Sequence, residues 1–323
     1  MNVKKKSVLV TGGAGFIGSE FVRQVVAQNQ FNKIYVIDLL TYASDLNRIK
    51  FELDAGNADF IQCDINDIDK YQLALKSVSQ VVHFAAESHV DRSIANGMPF
   101  VSSNIVGTYR LLDFIRKNGD VPTLLVSTDE VYGSVTVGES SEDSHLNPSS
   151  VYSASKASSD LIALSQIKTF SQNIVITRAC NNYGPMQHQE KFIPNSIISL
   201  IEGNKLSLYG NGENVREWIH VKDHISALMQ IIENWKSGQI YNIGTGERFS
   251  NLEVSKRIIR ELSLSENRIN FVSDRAGHDF RYALDSSKIR NLIGWQPKID
   301  FQTGLQELIR SFLSNSLPNE LRT

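Results

Sequence analysis

The chain has 323 residues, of which 41% are hydrophobic, and its formal net charge is −2. This length predicts a large core in two domains, or in one domain with an added lobe. A nearly neutral chain creates no strong attraction to nucleic acid or to an anionic membrane, so we expect neither as a partner. No apolar run approaches the length of a membrane span. Cys63 and Cys180 lie in or beside apolar strand-like runs, which favours free thiols and a cytoplasmic location.

Apolar, β-branched runs alternate with helix-like segments through the first 180 residues. In chain order the runs are SVLVTG, KIYVID, DFIQCDI, QVVHFAA, TLLVST and NIVITRA. Unbroken apolar strands indicate a sheet covered on both faces, and strands that alternate with helices indicate parallel βαβ units. We therefore predict an α/β fold whose first domain, residues 1–180, is a doubly wound parallel sheet of the Rossmann type.

The second part of the chain is richer in loops, as in NNYGPMQHQEK and LYGNGENVREW. We predict that residues 181–323 form mainly a second, smaller, mixed α/β lobe that binds the substrate. One strand near residues 239–244, in the run GQIYNIG, is expected to return to the sheet of the first domain.

The first strand leads into a glycine-rich loop, VLVTGGAGFIGSEF, in which Gly12, Gly15 and Gly18 are spaced three residues apart. Such glycines let the backbone approach a pyrophosphate at the N-terminus of the next helix. Asp38 ends the second strand, where a carboxylate binds the adenosine ribose. Because Leu39 follows instead of an arginine, no cation is placed for a 2′-phosphate, and the pattern predicts NAD rather than NADP. An ordinary turn with a helix cap is the alternative interpretation.

A predicted helix in SSVYSASKASSDLIALSQI places Tyr152 and Lys156 four residues apart on one face. A packed surface pair is the ordinary interpretation of that spacing. Beside a nicotinamide, however, a cationic lysine favours the tyrosinate and lowers the pKa of a phenol that is otherwise about 10. The pair therefore predicts a base that removes a hydroxyl proton while hydride leaves the same carbon.

Two adjacent carboxylates, Asp129 and Glu130, come directly after the strand TLLVST. Neighbouring residues of a regular strand point to opposite faces, so both carboxylates can reach one ligand only if the strand ends by Thr128. Repulsion between close carboxylates raises the pKa of one of them, which suits an acid and a base acting together. A helix cap with a solvated charge is the alternative interpretation.

Ten longer strings are distributed over residues 11 to about 285. They are TGGAGFIGS, DLLTYAS, HFAAESHVDRSI, NIVGTYRLLD, STDEVYG, YSASKASSD, NNYGP, EKFIP, YNIGTG and DRAGHDFRYALD, and IRNLIGWQP extends them. The glycine loop and the tyrosine–lysine pair resemble the extended short-chain dehydrogenase/reductase superfamily. The strings together resemble its nucleotide-sugar dehydratase branch, the dTDP-glucose 4,6-dehydratases, along nearly the whole chain.

The resemblance implies a lyase reaction on dTDP-glucose in three steps. Tyr152, assisted by Lys156, would take the C4 hydroxyl proton as hydride passes to NAD⁺, and Thr128 would hydrogen-bond near C4. Glu130 would then remove the C5 proton while Asp129 protonates the C6 leaving group. Return of hydride to C6 would give a 4-keto-6-deoxy sugar. Since the cofactor ends as it began, we expect NAD to be retained tightly.

The resemblance also implies two sets of binding residues and no metal site. The expected NAD contacts are Gly12, Gly15, Phe16, Ile17, Gly18, Asp38, Leu39, Thr41, Asp64, Ile65, Ala85, Ala86, Glu87, Ser103, Tyr152, Lys156 and Asn182. The expected contacts of the nucleoside-diphosphate sugar are Ser88, Thr128, Asn181, Glu190, Lys191, Arg216, Asn242, Arg275 and His278. Arginine suits a diphosphate because its planar guanidinium pairs with two oxygens at once.

A homodimer is also implied, through a helix bundle that would include the helix of Tyr152 and another near residues 104–119. Tyr109, Leu112 and Ile115 form an apolar stripe on that second helix. The same stripe could equally belong to the core of one subunit.

The sequence departs from the branch at a few positions. Met186 and Gln189 stand where an aromatic residue and a proline are common, Cys180 replaces a serine, and Ser44 replaces a glycine. Because the loop of Met186 and Gln189 is expected to border the nucleotide, the choice between thymidine and uridine stays open.

Three other functions are compatible with parts of the pattern. They are a UDP-glucose 4,6-dehydratase, a nucleotide-sugar 4-epimerase, and a non-catalytic NAD-binding protein. Asp129 and Glu130 argue against an epimerase, which needs no acid and base beyond tyrosine and lysine. The complete set of catalytic side chains argues against a non-catalytic protein, because folding alone does not demand it.

Overall fold

The computed structural model of the protein describes residues 6–316. Within this range, strands and helices alternate for most of the chain. The strands are β1 (Ser7–Thr11), β2 (Lys33–Asp38), β3 (Ala58–Gln62), β4 (Gln80–His83), β5 (Thr123–Thr128), β6 (Ile174–Ala179), β7 (Asn181–Tyr183), β8 (Leu206–Tyr209), β9 (Val215–His220), β10 (Ile240–Ile243), β11 (Arg248–Ser250) and β12 (Ile269–Val272).

The helices connect most of these strands. They are α1 (Phe16–Ala27), α2 (Lys50–Asp54), α3 (Ile68–Ser77), α4 (Val90–Ala95), α5 (Met98–Phe100), α6 (Thr108–Asn118), α7 (Val151–Phe170), α8 (Phe192–Ile201), α9 (Val221–Glu233), α10 (Asn251–Glu261), α11 (Ser287–Ile293) and α12 (Phe301–Ser316). A π-helical segment, Val101–Gly107, joins α5 to α6, and short 3₁₀ turns lie at Leu46–Ile49, Asp129–Tyr132 and Glu266–Arg268. None of the helices described in residues 6–316 is long and apolar enough to cross a membrane.

A seven-stranded sheet in the order β10-β6-β5-β4-β1-β2-β3 organises the larger part of the molecule. Every neighbouring pair in this sheet is parallel. The chain starts at β1, adds β2 and β3 on one side, and then crosses over to add β4, β5 and β6 on the other. This confirms the predicted α/β fold with a doubly wound, Rossmann-type sheet.

The side chains of β1 show why its run is apolar without interruption. Val8 and Val10 pack in one core cluster with Phe21 of α1, whereas Leu9 packs in another cluster with Leu111 of α6. Successive residues of a strand point to opposite faces, so each face of the sheet is covered by its own helices.

The order of the sheet reverses between β1 and β4, and this reversal positions the site. The loops that follow these two strands diverge to opposite faces and leave a crevice at the carboxyl ends of the strands. The ends of β5 and β6 lie at the same edge because all these strands are parallel.

Residues after 180 contribute to both parts of the molecule. Strand β10 pairs with β6 at the edge of the large sheet, with Ile240 opposite Ile176. The remaining strands form two small sheets, β11-β9-β7 and β12-β8, beside a separate core cluster around Trp218 and Phe301. Helix α9 packs with the first core through Ile225. The division into residues 1–180 and 181–323 stays a prediction. Helix α9 and strand β10 come after residue 180 but pack with the large sheet.

The apolar stripe of α6 divides between core and surface. Leu112 and Ile115 are buried inside the subunit, whereas Tyr109 is 49% exposed. Of the two interpretations of this stripe, the core is correct for Leu112 and Ile115.

Candidate active site

An elongated pocket runs along the carboxyl ends of the parallel strands. Its walls include the glycine loop, the ends of β2 and β5, the loop after β4, the start of α7 and the loop after β7. Every residue predicted to contact NAD lines this pocket, and so does every residue predicted to be catalytic. The fold therefore brings together residues that are far apart in sequence.

Two glycines of the loop approach the backbone too closely for any side chain. Gly12 has φ of +71°, and a Cβ there would lie 2.6 Å from the amide nitrogen of Ala85. A Cβ on Gly18 would lie 2.3 Å from the carbonyl oxygen of Gly12. The loop thereby reaches the N-terminus of α1, where backbone N–H groups point out of the helix. This is the geometry that receives a pyrophosphate.

Asp38 lies at the end of β2 with its carboxylate fixed by two backbone amides. Ala14 N donates to one oxygen at 3.0 Å, and Leu40 N donates to the other at 2.9 Å. Each oxygen keeps a lone pair that can accept from a ribose hydroxyl. Leu39 beside it carries no charge. The pocket therefore fits NAD as the sequence predicts.

The chain turns sharply where β5 ends. The strand stops at Thr128, and residues Asp129–Tyr132 form a 3₁₀ turn. The Thr128 hydroxyl accepts from Glu130 N at 3.3 Å and donates to Asp129 Oδ1 at 3.2 Å. The prediction that the strand ends by Thr128 is confirmed, and both carboxylates line the pocket.

The two carboxylates differ in their surroundings. Asp129 is 3% exposed, and its Oδ2 has no hydrogen-bond partner among the residues that the structure describes. Burial, and then the charge of Glu130, raise the pKa of Asp129 well above its usual value. Burial also raises the pKa of Glu130, but Arg216 opposes this shift. Asp129 is thus suited to hold a proton as an acid, and Glu130 to act as the base.

Tyr152 and Lys156 lie near the start of α7, which begins after a capping box between Ser150 and Ser153. The Lys156 ammonium donates to the carbonyl oxygen of Val126 at 2.8 Å. Burial lowers the pKa of Lys156 to about 8.

The electrostatics of Tyr152 differ from the prediction. Burial, and then the charge of Glu130, raise the pKa of the Tyr152 phenol. A hydrogen bond with Thr128 acts in the opposite direction. The net shift is therefore upward in this structure, opposite to the predicted direction, because burial and neighbouring carboxylates dominate it.

The predicted sugar-nucleotide contacts fall into two groups. Ser88, Thr128, Asn181 and Lys191 line the pocket, and Lys191 Nζ donates to the carbonyl oxygen of Ser88 at 2.8 Å. The contacts predicted from Glu190, Arg216, Asn242, Arg275 and His278 do not line it.

Arg216 and Arg275 nevertheless lie near the turn of Asp129 and Glu130, because the charge of each lowers the pKa of Glu130. Arg216 donates to backbone carbonyl groups of Val215 and Asp279, and its guanidinium lies 4.3 Å from the centre of the Tyr282 ring. Arg216 is therefore largely held by the protein itself.

Arg275 and His278 occupy a neighbouring segment. A guanidinium nitrogen of Arg275 lies 3.6 Å from Asp91, and its Nε is buried without a hydrogen-bond partner among the described residues. His278 Nδ1 lies 2.6 Å from Asp274, and its ring contacts Tyr209 edge to face. Binding of a diphosphate by these side chains stays a prediction.

One of the predicted substrate contacts needs correction. Asn242 is fully buried, its Oδ1 accepts from the Tyr132 hydroxyl at 2.8 Å, and its Nδ2 donates to the carbonyl oxygens of Ser140 and Asp285. No hydrogen-bonding group of this amide is left for a ligand. Asn242 is therefore a structural residue.

Glu190 binds protein partners through one of its two carboxylate oxygens, whereas its Oε1 is buried without a hydrogen-bond partner among the described residues. Arg92 donates from Nε and Nη2 to one oxygen of Glu190, at 3.2 Å in each case. The guanidinium of Arg92 in turn lies 3.5 Å from the centre of the Tyr42 ring. Glu190 therefore links Arg92 to the loop after β7, and a contact between its Oε1 and the substrate stays a prediction.

Sequence reasoning missed several residues of the pocket. The fully buried His224 has Nδ1 2.8 Å from Asn182 Oδ1, and burial lowers its pKa to about 3, so a neutral ring orients this predicted NAD contact. Tyr42 and His188 also line the pocket and contact each other edge to face. No local signal marks these residues, because only the fold places them beside the crevice.

Known proteins resemble this chain along nearly its whole length. A family model described as GDP-mannose 4,6 dehydratase matches residues 9–308. The low-salt glycan biosynthesis protein Agl12 of Haloferax volcanii is 45% identical over 95% of this chain and 99% of its own length. A dTDP-glucose 4,6-dehydratase of an Actinoplanes species is 41% identical over 95% of this chain and 98% of its own. The crystal structure of the Streptomyces venezuelae dTDP-glucose 4,6-dehydratase DesIV, with NAD bound, has a TM-score of 0.94 and 42% identity, and the match covers 96% of this chain and 97% of that one.

Replacement of Asp129 by Asn is expected to stabilise the fold at neutral and alkaline pH. Because the pKa of Asp129 is raised on folding, the wild-type carboxyl favours folding only below its unfolded pKa, near 3.8, and this contribution is lost as pH rises. The melting temperature of Asp129→Asn should exceed that of the wild type by about 2 °C or more at pH 8 and match it near pH 4.

Asp113→Asn is the control, because a hydrogen bond from Lys117 lowers the pKa of Asp113. That substitution should instead lower the melting temperature at pH 8. An Asp129→Asn protein that is less stable than the wild type at pH 8 would show that the carboxylate is not destabilised by burial.

Proposed function

We propose that this chain, which belongs to the family described as GDP-mannose 4,6 dehydratase, is an NAD-dependent dTDP-glucose 4,6-dehydratase. It is 41% identical to a dTDP-glucose 4,6-dehydratase along nearly its whole length. The family predicted from the sequence is confirmed. Relatives with this activity match over almost the whole chain, and one of them has NAD bound.

The observation that carries the proposal is the turn after β5, which adds an acid and a base to the Tyr152 site. Oxidation and reduction at one carbon need the tyrosine, the lysine and the cofactor. Elimination of water needs two further proton transfers at neighbouring carbons. Asp129 and Glu130 differ in pKa and share the pocket with Tyr152, so they supply both transfers.

The chemistry of this chain's residues follows from their positions. Tyr152, beside Thr128, accepts the proton of the C4 hydroxyl as the ketone forms. The ketone acidifies the C5 hydrogen, which Glu130 removes as a proton. Asp129 gives its own proton to the C6 hydroxyl, so the C6–O bond breaks and water leaves. The 4-keto-6-deoxy product is complete when C6 has gained hydride and Glu130 has returned its proton to C5.

The bound cofactor would supply the acceptor for hydride from C4 and the donor of hydride to C6. Gly12 and Gly18 would allow its pyrophosphate to approach the start of α1, and Asp38 would bind a ribose. Asp64 also lines the pocket, and its Oδ1 accepts from Asn66 N at 2.7 Å. These positions agree with tight retention of NAD.

We also propose a homodimer and a cytoplasmic location. Tyr109 on α6 and Leu161 on α7 expose apolar surface, which supports packing of these helices against a second copy. Sedimentation velocity tests the dimer.

Cys63 and Cys180 are both free and buried, which agrees with the proposed location in a reducing compartment.

The first experiment is incubation of the purified protein with dTDP-glucose and, separately, with UDP-glucose. Product mass and NADH absorbance are followed together. We expect dTDP-glucose to lose one water with no net formation of NADH. Faster loss of water from UDP-glucose would reassign the nucleotide. An unchanged mass with conversion to the galactose isomer would establish an epimerase, and no change with either sugar would contradict the proposed activity.

Replacement of Glu130 by Gln separates the oxidation from the elimination. Loss of the base should slow water loss at least about 100-fold. The C4 oxidation should continue, because removal of the Glu130 charge also removes one cause of the raised pKa of Tyr152. Bound NADH should therefore accumulate in a single turnover.

Glu213→Gln, on an exposed side chain, is the control and should behave as the wild type. Water loss at the wild-type rate in Glu130→Gln would remove this carboxylate from the mechanism.

Replacement of Gly12 by Ala tests the cofactor site. The added methyl group would collide with the backbone of Ala85, so the purified variant should retain less than about a tenth of the NAD of the wild type. The NAD content is measured after denaturation. Gly56→Ala is the matched control, because Gly56 has a similar φ of +72° but nothing within 4 Å of the added methyl. Equal NAD loss in both variants would assign the effect to backbone strain alone.

A further inference from the structure

Arg178 does not line the pocket, but it contacts two segments that do: helix α7, which carries Tyr152 and Lys156, and the turn Asp129–Tyr132. Its Nε donates to Asp160 Oδ2 at 2.8 Å, and its Nη1 donates to the Tyr132 hydroxyl at 2.8 Å. Asp160 lies on α7, one turn beyond Lys156, whereas Tyr132 ends the 3₁₀ turn that begins with Asp129. A single guanidinium thus connects the helix of the oxidation residues with the turn of the elimination residues.

The Tyr132 side chain is fixed from three directions. Its hydroxyl donates to Asn242 Oδ1 at 2.8 Å while it accepts from Arg178, whose guanidinium also lies 4.9 Å from the centre of its ring. Burial raises the pKa of Tyr132 to about 12, so the hydroxyl keeps the proton that it donates. Asn242 is itself anchored to Ser140 and Asp285. The turn is therefore attached to β10 as well as to β6.

We call Asp160, Arg178, Tyr132 and Asn242 the Arg178 network. All four side chains are buried, and none of them lines the pocket. They are therefore too remote to act on a substrate directly, and any effect on the reaction must pass through the residues that they hold.

A buried ion pair such as Arg178 and Asp160 contributes little net stability to a fold. Desolvation of the two charges offsets much of their attraction, and apolar residues of similar volume often stabilise a core equally well. The benefit of Arg178 and Asp160 lies elsewhere, in the directional hydrogen bonds that a planar guanidinium can make to two partners at once.

We propose that Arg178 is a positioning residue that fixes the acid and base of the β5 turn relative to the tyrosine and lysine of α7. The proposal rests on the dehydratase function, in which the two segments act on adjacent carbons of one sugar. A displacement of about 1 Å between reacting groups can cost about 100-fold in rate, so the relative position of the segments matters.

Replacement of Tyr132 by Phe tests the proposal with little disturbance of packing. The ring and the Arg178–Asp160 ion pair remain, and only the bonds of the hydroxyl are lost. In single turnovers with dTDP-glucose, bound NADH should form within about twofold of the wild-type rate. Loss of water should slow about tenfold, because loss of the buried hydrogen bonds of the hydroxyl loosens the turn.

Tyr183→Phe is the matched control. Its hydroxyl donates to a backbone carbonyl of Phe301 in the core of the smaller lobe, so a buried hydrogen bond is lost away from both segments. This variant should keep both rates. Water loss at the wild-type rate in Tyr132→Phe would overturn the proposal.

Replacement of Arg178 by Lys keeps the charge but cannot make both bonds. Both the oxidation and the elimination should be slower in this variant than in the wild type. Adding Tyr132→Phe to it should slow elimination less than the same change does in the wild type, because the hydroxyl acts in part through Arg178. Fully multiplicative losses in the double variant would contradict the proposed linkage.

Hydrogen exchange separates this proposal from the proposed function, because it requires no substrate. Amides of residues 129–133 should exchange faster in Tyr132→Phe than in the wild type, and those of the control variant should not. Unchanged exchange would overturn the positioning role even in an active enzyme. Faster exchange in a protein that does not act on dTDP-glucose would preserve the linkage while contradicting the function.

Discussion

The bond from Glu130 N to the Thr128 hydroxyl is the interaction on which the candidate site depends. It ends β5 and begins a 3₁₀ turn, so that consecutive carboxylates no longer point to opposite faces of the sheet. A strand extended by two residues would direct one carboxylate away from the pocket. The same hydroxyl bonds to Asp129 and reaches Tyr152, so one side chain organises three of the reacting groups.

Burial of charge is the common cause of the unusual pKa values in the site. It raises the pKa of Asp129 and of Tyr152, lowers that of Lys156, and keeps His224 neutral. Each of these shifts opposes folding at some pH, and the large apolar clusters on the two faces of the sheet must offset them. Perturbed groups that converge in one crevice are typical of active sites.

The departures from the dehydratase branch lie around the rim of the pocket rather than among the reacting groups. Met186 contacts the guanidinium of Arg23 on α1, and His188 contacts Tyr42 in the loop after β2. Both contacts join the loop after β7 to the side of the pocket where the predicted NAD contacts lie. Cys180 lines the pocket as a buried thiol whose pKa is raised by burial.

The sequence by itself determined the parallel sheet and the glycine loop, and it predicted that Tyr152 and Lys156 share one helix face. These features depend on local patterns: apolar runs such as that of β1, glycine spacing, and side chains one helical turn apart. The end of β5 at Thr128 was also predictable, because geometry leaves no other way for two neighbouring carboxylates to share a ligand.

Only the tertiary structure decided which polar residues face the ligand and which hold the fold. The resemblance implies that Asn242 binds the substrate, yet its side chain bonds to Tyr132, Ser140 and Asp285 from distant segments. Arg178 likewise bonds to Asp160 and Tyr132, and no local pattern marks it. His224 gives no local signal, and its role depends on Asn182, 42 residues away. The pKa of Tyr152 likewise depends on burial and on Glu130 more than on the nearby lysine. Hydrogen-bond partners and desolvation are set by packing between segments, and for that reason local sequence patterns do not contain them.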